Sequence, residues 1–252
     1  MPLHDRLILL VAVATLGCGF FLYFDLSYAW LVLLAAISFV GADGLVRSHP
    51  ILGRYDATVR AGYWVLPVTA TVAAALFLRE IASGYGLAIG LALTALGLLV
   101  ILLAQVHSVH ISDPLYDVSH AALNIASYIT AFVAFAALYE LELGTILAVL
   151  SVGLVGAALA LQLFRQATLS WARPVLYALV TGALLAQTQW ALDYWSMRAY
   201  GTAIFLLLIF YFITGVSQSY MSRRLTGAML LEFAGVTLIG FAALYGLQAW
   251  PD

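Results

Sequence analysis

The sequence predicts an all-α, polytopic transmembrane helix bundle of about nine spanning helices, with its N-terminus in the cytoplasm. Three observations lead to this prediction: an apolar composition, nine long apolar segments, and arginines concentrated between alternate segments. Of the 252 residues, 65% are hydrophobic and only 9% are charged, and the mean hydropathy is +1.05. Soluble domains carry about 25% charged residues. A surface with so few charges must therefore face lipid.

A membrane-spanning helix needs roughly 20 mostly apolar residues. Nine segments, bounded by charged and turn residues, approach this length, and only short connections separate them. We therefore expect a single transmembrane helical domain over residues 1–252. The expected spans are Leu7–Leu22, Tyr28–Val46, Ala61–Leu78, Gly86–Val106, Ser119–Tyr139, Gly144–Phe164, Pro174–Leu192, Gly201–Val216 and Thr226–Leu247.

Three of the first four spans contain residues that bear on helix structure or packing. The first contains the only cysteine, Cys18, which we expect to pack as a small hydrophobic side chain. The third contains Pro67, whose missing N–H interrupts helical hydrogen bonding. The fourth carries Gly86, Gly90 and Gly97, and small residues in a span predict close helix–helix contact.

The later spans add further packing and polar features. The fifth begins in a polar segment that contains three of the five histidines. Gly153 and Gly156 predict close packing of the sixth span. Pro174 lies just inside the seventh, at a helix start, where its missing N–H costs little. The eighth is the shortest together with the first, and the ninth contains the carboxylate of Glu232.

The arginines predict the orientation of the chain. With nine spans, eight arginines fall on the side of the N-terminus and only two, Arg79 and Arg198, fall on the opposite side. Short cytoplasmic loops carry an excess of positive residues. We therefore expect a multi-pass membrane protein with its N-terminus inside the cell and its C-terminus outside. The eight are Arg6, Arg47, Arg54, Arg60, Arg165, Arg173, Arg223 and Arg224.

Several classes of function are excluded by composition. No lysine occurs, so no Schiff base to retinal or pyridoxal phosphate can form. A single cysteine rules out an internal disulfide and a thiolate metal cluster. The net charge is −2, and no basic run could follow a nucleic-acid backbone. Membrane lipids and other membrane-protein subunits are the partners that we expect.

Chemistry-bearing residues concentrate around the connection between the fourth and fifth spans. His107 and His110 are three residues apart, and Asp117 and His120 repeat that spacing beyond the Asp113–Pro114 turn. His107, His110 and His120 are candidate ligands for zinc, iron or manganese. The segment matches no complete metal-binding motif. Two alternatives remain: a polar interfacial loop, and a site that binds an organic cofactor such as a quinone, haem or chlorin.

A polar stripe continues into the fifth span. Asp117, His120 and Asn124 recur at helical spacing, followed by Ser127 or Tyr128. Glu232 lies about two turns into the last span, where an ionisable residue indicates a functional site or pairs with Arg223 or Arg224. We therefore expect a polar cavity on the arginine-rich side. Its ligand-binding residues would be His107, His110, Asp117, His120, Asn124 and Glu232.

The C-terminal part carries a resemblance. Residues 214–234, TGVSQSYMSRRLTGAMLLEFA, are similar to the C-terminal part of uncharacterised multi-pass bacterial membrane proteins. The resemblance implies a bacterial inner-membrane origin. It implies no activity, because none is assigned to that group.

Three functions are consistent with these features. Short connections and the lack of a complete catalytic motif favour a protein that is not an enzyme: a non-catalytic membrane subunit or scaffold of a larger complex, contacting lipid, quinone or pigment. The first alternative is a small-molecule transporter, for which Pro67 offers one possible helix break. The second is a metal-dependent membrane enzyme acting on a lipid or isoprenoid substrate through the histidines and carboxylates.

Overall fold

The computed structural model describes residues 3–48, 57–81, 84–109, 113–165, 172–195 and 197–249. Within these ranges the chain forms nine α-helices and no strand, and all nine are long and apolar enough to cross a membrane. The all-α fold class and the helix count are therefore confirmed. The helices are α1 Leu3–Tyr23, α2 Ala29–Ser48, α3 Ala57–Ile81, α4 Tyr85–His107, α5 Tyr116–Glu140, α6 Thr145–Arg165, α7 Ala172–Leu192, α8 Ala199–Met221 and α9 Gly227–Ala249.

Each helix overlaps one predicted span, but several helices are longer than predicted. α8 extends to Met221, although the apolar run ends near Val216. Backbone hydrogen bonding is indifferent to hydropathy, so a helix continues past the hydrocarbon boundary until a turn ends it. At the end of α8 this turn contains Arg223 with a positive φ of 53°, and the Arg224 N–H donates to the Ser219 carbonyl over 3.0 Å.

The chain divides into two compact units, Met1–Thr130 and Ala131–Asp252. In the first unit, α1 contacts α2, α3 and α4, and α3 contacts both α2 and α4. Its core includes one cluster built around Leu10, Leu45 and Leu102, and another built around Phe21 and Leu34. Cys18 belongs to the second cluster and is fully buried, as expected of a small hydrophobic side chain.

Arg79 ties the α1–α2 turn to the end of α3. Its guanidinium donates to the Leu26 carbonyl over 2.6 Å and forms an ion pair with Asp25 over 2.8 Å. The same group lies over the rings of Phe21 and Tyr28, at 4.9 and 4.4 Å from their centroids. These contacts satisfy a charge at the membrane boundary and fix the position of the turn.

In the second unit, α6 packs closely against α7, and α8 contacts α6, α7 and α9. The two backbones approach closely at Gly153 and Gly182, because a Cβ atom on Gly182 would lie 2.5 Å from the Gly153 carbonyl oxygen. Gly156 faces Leu185 of α7 in the same interface. The predicted packing role of Gly153 and Gly156 is confirmed.

Only one of the three glycines expected to pack α4 does so. Gly90 lies against Leu78 of α3, whereas Gly86 and Gly97 have open space where a Cβ atom would stand. The prediction for Gly86 and Gly97 is therefore wrong in this chain. Small residues permit close approach, but only the placement of a neighbouring helix decides whether one approaches.

Candidate functional site

The polar segment between α4 and α5 is built around Asp113. Residues 110–112, and with them His110, lie outside the described residues. His107 ends α4, and its Nδ1 lies 2.8 Å from Oδ2 of Asp113. The other carboxylate oxygen of Asp113 accepts the Leu115 N–H over 2.9 Å, and its main-chain carbonyl accepts the Tyr116 N–H over 3.0 Å. Asp113 therefore holds His107 and starts α5 at the same time.

Pro67 and Gln105 together position the end of α4. A proline inside a helix cannot donate to the carbonyl four residues earlier, which here belongs to Tyr63. The Gln105 side chain supplies a donor instead, with its Nε2 2.7 Å from the Tyr63 oxygen. Gln105 is buried and lies two residues before His107, so this bond fixes the helix end that carries the histidine.

The stripe on α5 descends from the surface into the protein. Asp117 is exposed, His120 and Asn124 are half-buried, and Ser127 is fully buried. The His120 ring packs against Tyr116, with centroids 4.4 Å apart. Ser127 donates to the Leu123 carbonyl of its own helix over 2.8 Å. The predicted helical stripe therefore exists, and it becomes more buried along the span.

Asn124 is the unusual member of this stripe. Its Oδ1 atom is buried, and no described residue donates a hydrogen bond to it. A buried acceptor without a donor costs about 1 to 3 kcal/mol. This oxygen could accept a hydrogen bond from a water molecule or from a polar ligand that reaches this level of α5.

Metal binding at these residues stays a prediction. The described part of the chain contains no group of three or more His, Cys, Asp or Glu side chains close enough to hold a metal ion. His107 and Asp113 supply two adjacent donors, and the position of His110 is outside the described residues. A complete metal site at this end of α4 would need further donors, for which His110 is the candidate nearest in the sequence.

Glu232 lies on α9 in the second unit, and its side chain is exposed. The described residues include Arg223 and Arg224, and neither forms an ion pair with Glu232. The pairing considered from the sequence is therefore absent from this structure. A cavity shared by Glu232 and the α5 stripe stays a prediction.

A family model matches residues 9–246, nearly the whole chain, and its description is "Protein of unknown function (DUF5656)". The chain belongs to this family. The relationship thus extends far beyond residues 214–234, which carried the resemblance in the sequence. Neither a curated protein nor a solved structure matches the chain.

Family membership places all the candidate residues within the matched range. His107, Asp113, the α5 stripe and Glu232 all fall between residues 9 and 246. The family has no described function, so it assigns no role to any of them.

Two residues of the site were not singled out as site residues from the sequence. Asp113 was assigned only to a turn with Pro114, yet its carboxylate contacts His107. Gln105 was given no role from the sequence. The sequence signal for Gln105 was an amide side chain within the apolar fourth span, next to a span that contains a proline. Its partner could be identified only from the packing of α3 against α4.

Proposed function

We propose that this protein is a non-catalytic integral membrane subunit or scaffold, and that α9 packs against a transmembrane helix of a different protein. One observation carries the proposal: α9 exposes a carboxylate on a helix that has little protein around it. The nine apolar helices establish only a membrane-spanning chain.

α9 is the least buried of the nine spans. Only 11% of its apolar stretch is buried within the protein, compared with half of α3 and of α5. Leu231, Leu238 and Ile239 are 73%, 67% and 72% exposed. Lipid can cover such side chains without cost, so the apolar surface alone does not require a protein partner.

The Glu232 carboxylate, in contrast, favours a hydrogen-bonding protein partner. It is five residues beyond the start of α9, which corresponds to about 7.5 Å along the helix axis. A charged side chain at the bilayer centre costs roughly 3 kcal/mol on insertion scales, and less towards the boundary. A partner helix that presents an arginine, tyrosine or serine donor at this depth would satisfy the carboxylate. Charge complementarity therefore favours a different protein over a second copy, which would bring two carboxylates together.

The test is photocrosslinking in native membranes. A photoreactive amino acid replaces Leu231 or Ile239 on the exposed face of α9, and a matched control replaces Leu244, which is 6% exposed on the same helix. We expect one discrete heterologous adduct from the exposed positions, none from Leu244, and co-purification of that protein at one-to-one stoichiometry. Glu232→Leu should reduce the adduct about threefold to thirtyfold, whereas Glu232→Gln should retain part of it.

Two results would overturn this proposal. An adduct between two copies of this chain would replace the different partner with a homo-oligomer. Adducts with lipid alone, unchanged by Glu232→Leu, would show that α9 is simply a lipid-facing helix. A stability measurement of the purified Glu232→Leu protein separates loss of the partner from loss of the fold.

The proposal places the protein in the bacterial cytoplasmic membrane, with the N-terminus inside and the C-terminus outside. The distribution of eight arginines against two supports this orientation. In a Cys18→Ala background, Asp25→Cys should react with an impermeant maleimide from outside the cell. Ser222→Cys should react only after permeabilisation, and the reverse pattern would invert the orientation.

A metal-dependent membrane enzyme remains the second candidate, because His107 and Asp113 already bring two metal-binding groups together. Metal analysis of the purified protein tests it. Stoichiometric zinc, iron or manganese that is lost in His107→Ala would favour this candidate. Metal content at background level in the wild-type protein would argue against it.

A further inference from the structure

An open groove runs along the surface between α1 and α2 in the first unit. Its volume is about 490 Å³, within the range of small-molecule sites. Arg6 is the only polar side chain in the lining, and every other lining residue is apolar or glycine. The remaining walls are thus suited to hydrocarbon, and the single charge stands at one end.

The groove has the length of one membrane leaflet. Along α1 the lining extends from Arg6 to Val13, about 10 Å at 1.5 Å per residue. Along α2 it extends from Ala36 to Leu45, about 14 Å on the same basis. Half of a hydrocarbon core of about 30 Å is close to 15 Å. The groove therefore matches the depth of an acyl chain that enters from the headgroup region.

Two glycines of α2 create the space. Gly41 lies against the Leu10 side chain of α1, so it allows the two helices to approach and forms the floor of the groove. A Cβ atom on Gly44 would meet nothing within 4 Å. Gly44 lies near the Arg6 end, where a larger side chain would fill the entrance without displacing a neighbour.

The charge at the entrance is not neutralised by the described residues. Arg47, on the same end of α2, is already paired with Asp43 over 2.6 Å. Arg6 is exposed, and it forms no ion pair with any described residue. Since Arg6 lies at the end of a transmembrane helix, its guanidinium is placed at the level of lipid headgroups.

We propose that this groove binds one anionic phospholipid, with an acyl chain between α1 and α2 and its phosphate at Arg6. The apolar walls provide the chain site, and Arg6 provides the preference for an anionic headgroup over a zwitterionic one. The site is confined to the first unit and is independent of any partner at α9. A failure of the α9 proposal would therefore leave this one unaffected.

Native mass spectrometry of the full-length protein, released from detergent, tests the site. The probes are phosphatidylglycerol and phosphatidylcholine with identical acyl chains, titrated separately. We expect one site at which phosphatidylglycerol binds about fivefold more tightly, which is the effect of one basic residue near an anionic lipid. Arg6→Gln should abolish this preference, and Gly44→Leu should remove binding of both lipids at the site.

Two matched variants control for general effects. Arg224→Gln removes an exposed arginine that is expected on the same side of the membrane but lies outside the groove. Gly97→Leu places the same side chain in open space on α4. Both should bind lipid like the wild type. Equal affinity for the two lipids, or wild-type binding by folded Gly44→Leu, would overturn the proposal.

Discussion

Helices α3 and α9 are both apolar enough to cross a membrane, yet half of the apolar stretch of α3 is buried in protein and only 11% of that of α9. The difference follows from their polar groups. α3 contains Arg79 and the carbonyl that Pro67 leaves without a helical donor, and both are satisfied by other segments. In α9 the Thr237 hydroxyl bonds within its own helix, and the exposed Glu232 forms no ion pair with a described residue.

Apolarity therefore places a helix in the membrane, but it does not determine which helices pack together. In lipid, apolar side chains gain little by moving from acyl chains to protein. Polar groups and close backbone contacts provide the difference. Substitutions should consequently be costly at packed positions of the helices and nearly neutral on α9 in the isolated protein.

The largest effect is expected at the α6–α7 contact. In Gly182→Leu the new side chain would collide with the Gly153 carbonyl and with Ala157, which lie 2.5 and 2.7 Å from the Cβ position. We expect a loss of about 3 kcal/mol in the free energy of unfolding. The measurement is reversible denaturation in mixed micelles.

Gly235→Leu on α9 is the matched control, because a Cβ atom there meets nothing within 4 Å. Its stability should remain within about 0.5 kcal/mol of the wild type. A similar loss for both variants would break the distinction between packed and unpacked helices.

A smaller effect is expected for Gln105→Leu. This change removes the side-chain donor to the half-buried Tyr63 carbonyl, and we expect a loss of about 1 kcal/mol in the free energy of unfolding. Pro67→Ala restores a backbone N–H to the same carbonyl. The double variant Pro67→Ala/Gln105→Leu should therefore be more stable than Gln105→Leu alone.

The coupling free energy between the two substitutions, measured in a double-mutant cycle, tests this prediction. A favourable coupling would show that Gln105 compensates for the proline. Additive effects of the two substitutions would mean that Gln105 acts through ordinary packing, and the compensation would then be wrong.

The smallest loss is expected for Arg79→Met. Asp25 is 83% exposed, so solvent screens its ion pair with Arg79 and little stability depends on it. The bond to the Leu26 carbonyl and the stacking on Phe21 and Tyr28 carry more of the effect, about 1 kcal/mol in total. Unfolding in micelles measures it. Arg224→Met, at an exposed arginine with no described ion pair, should be neutral, and an equal loss there would contradict the assigned role of Arg79.

The outcome at individual residues shows which sequence signals are reliable. Gly153 and Gly156 pack as expected, whereas Gly86 and Gly97, of the same residue type in a similar helix, do not. The α5 stripe was predictable because helical periodicity fixes the face on which Asp117, His120 and Asn124 lie. The contact between His107 and Asp113 was not predictable, because the path of a turn depends on backbone angles that spacing does not specify.

The sequence by itself determined that the chain lies in a membrane and how many helices can cross it. Continuously apolar segments of about twenty residues cross a bilayer as helices, since a helix satisfies every backbone group within its own segment. Tertiary structure alone decided that Gln105 completes the helix interrupted by Pro67, that α1 and α2 leave a groove beside Arg6, and that Glu232 stays exposed. These features depend on which helix faces pack together. The apolar pattern of the sequence does not specify that packing, because an apolar side chain gains about as much from lipid neighbours as from protein neighbours.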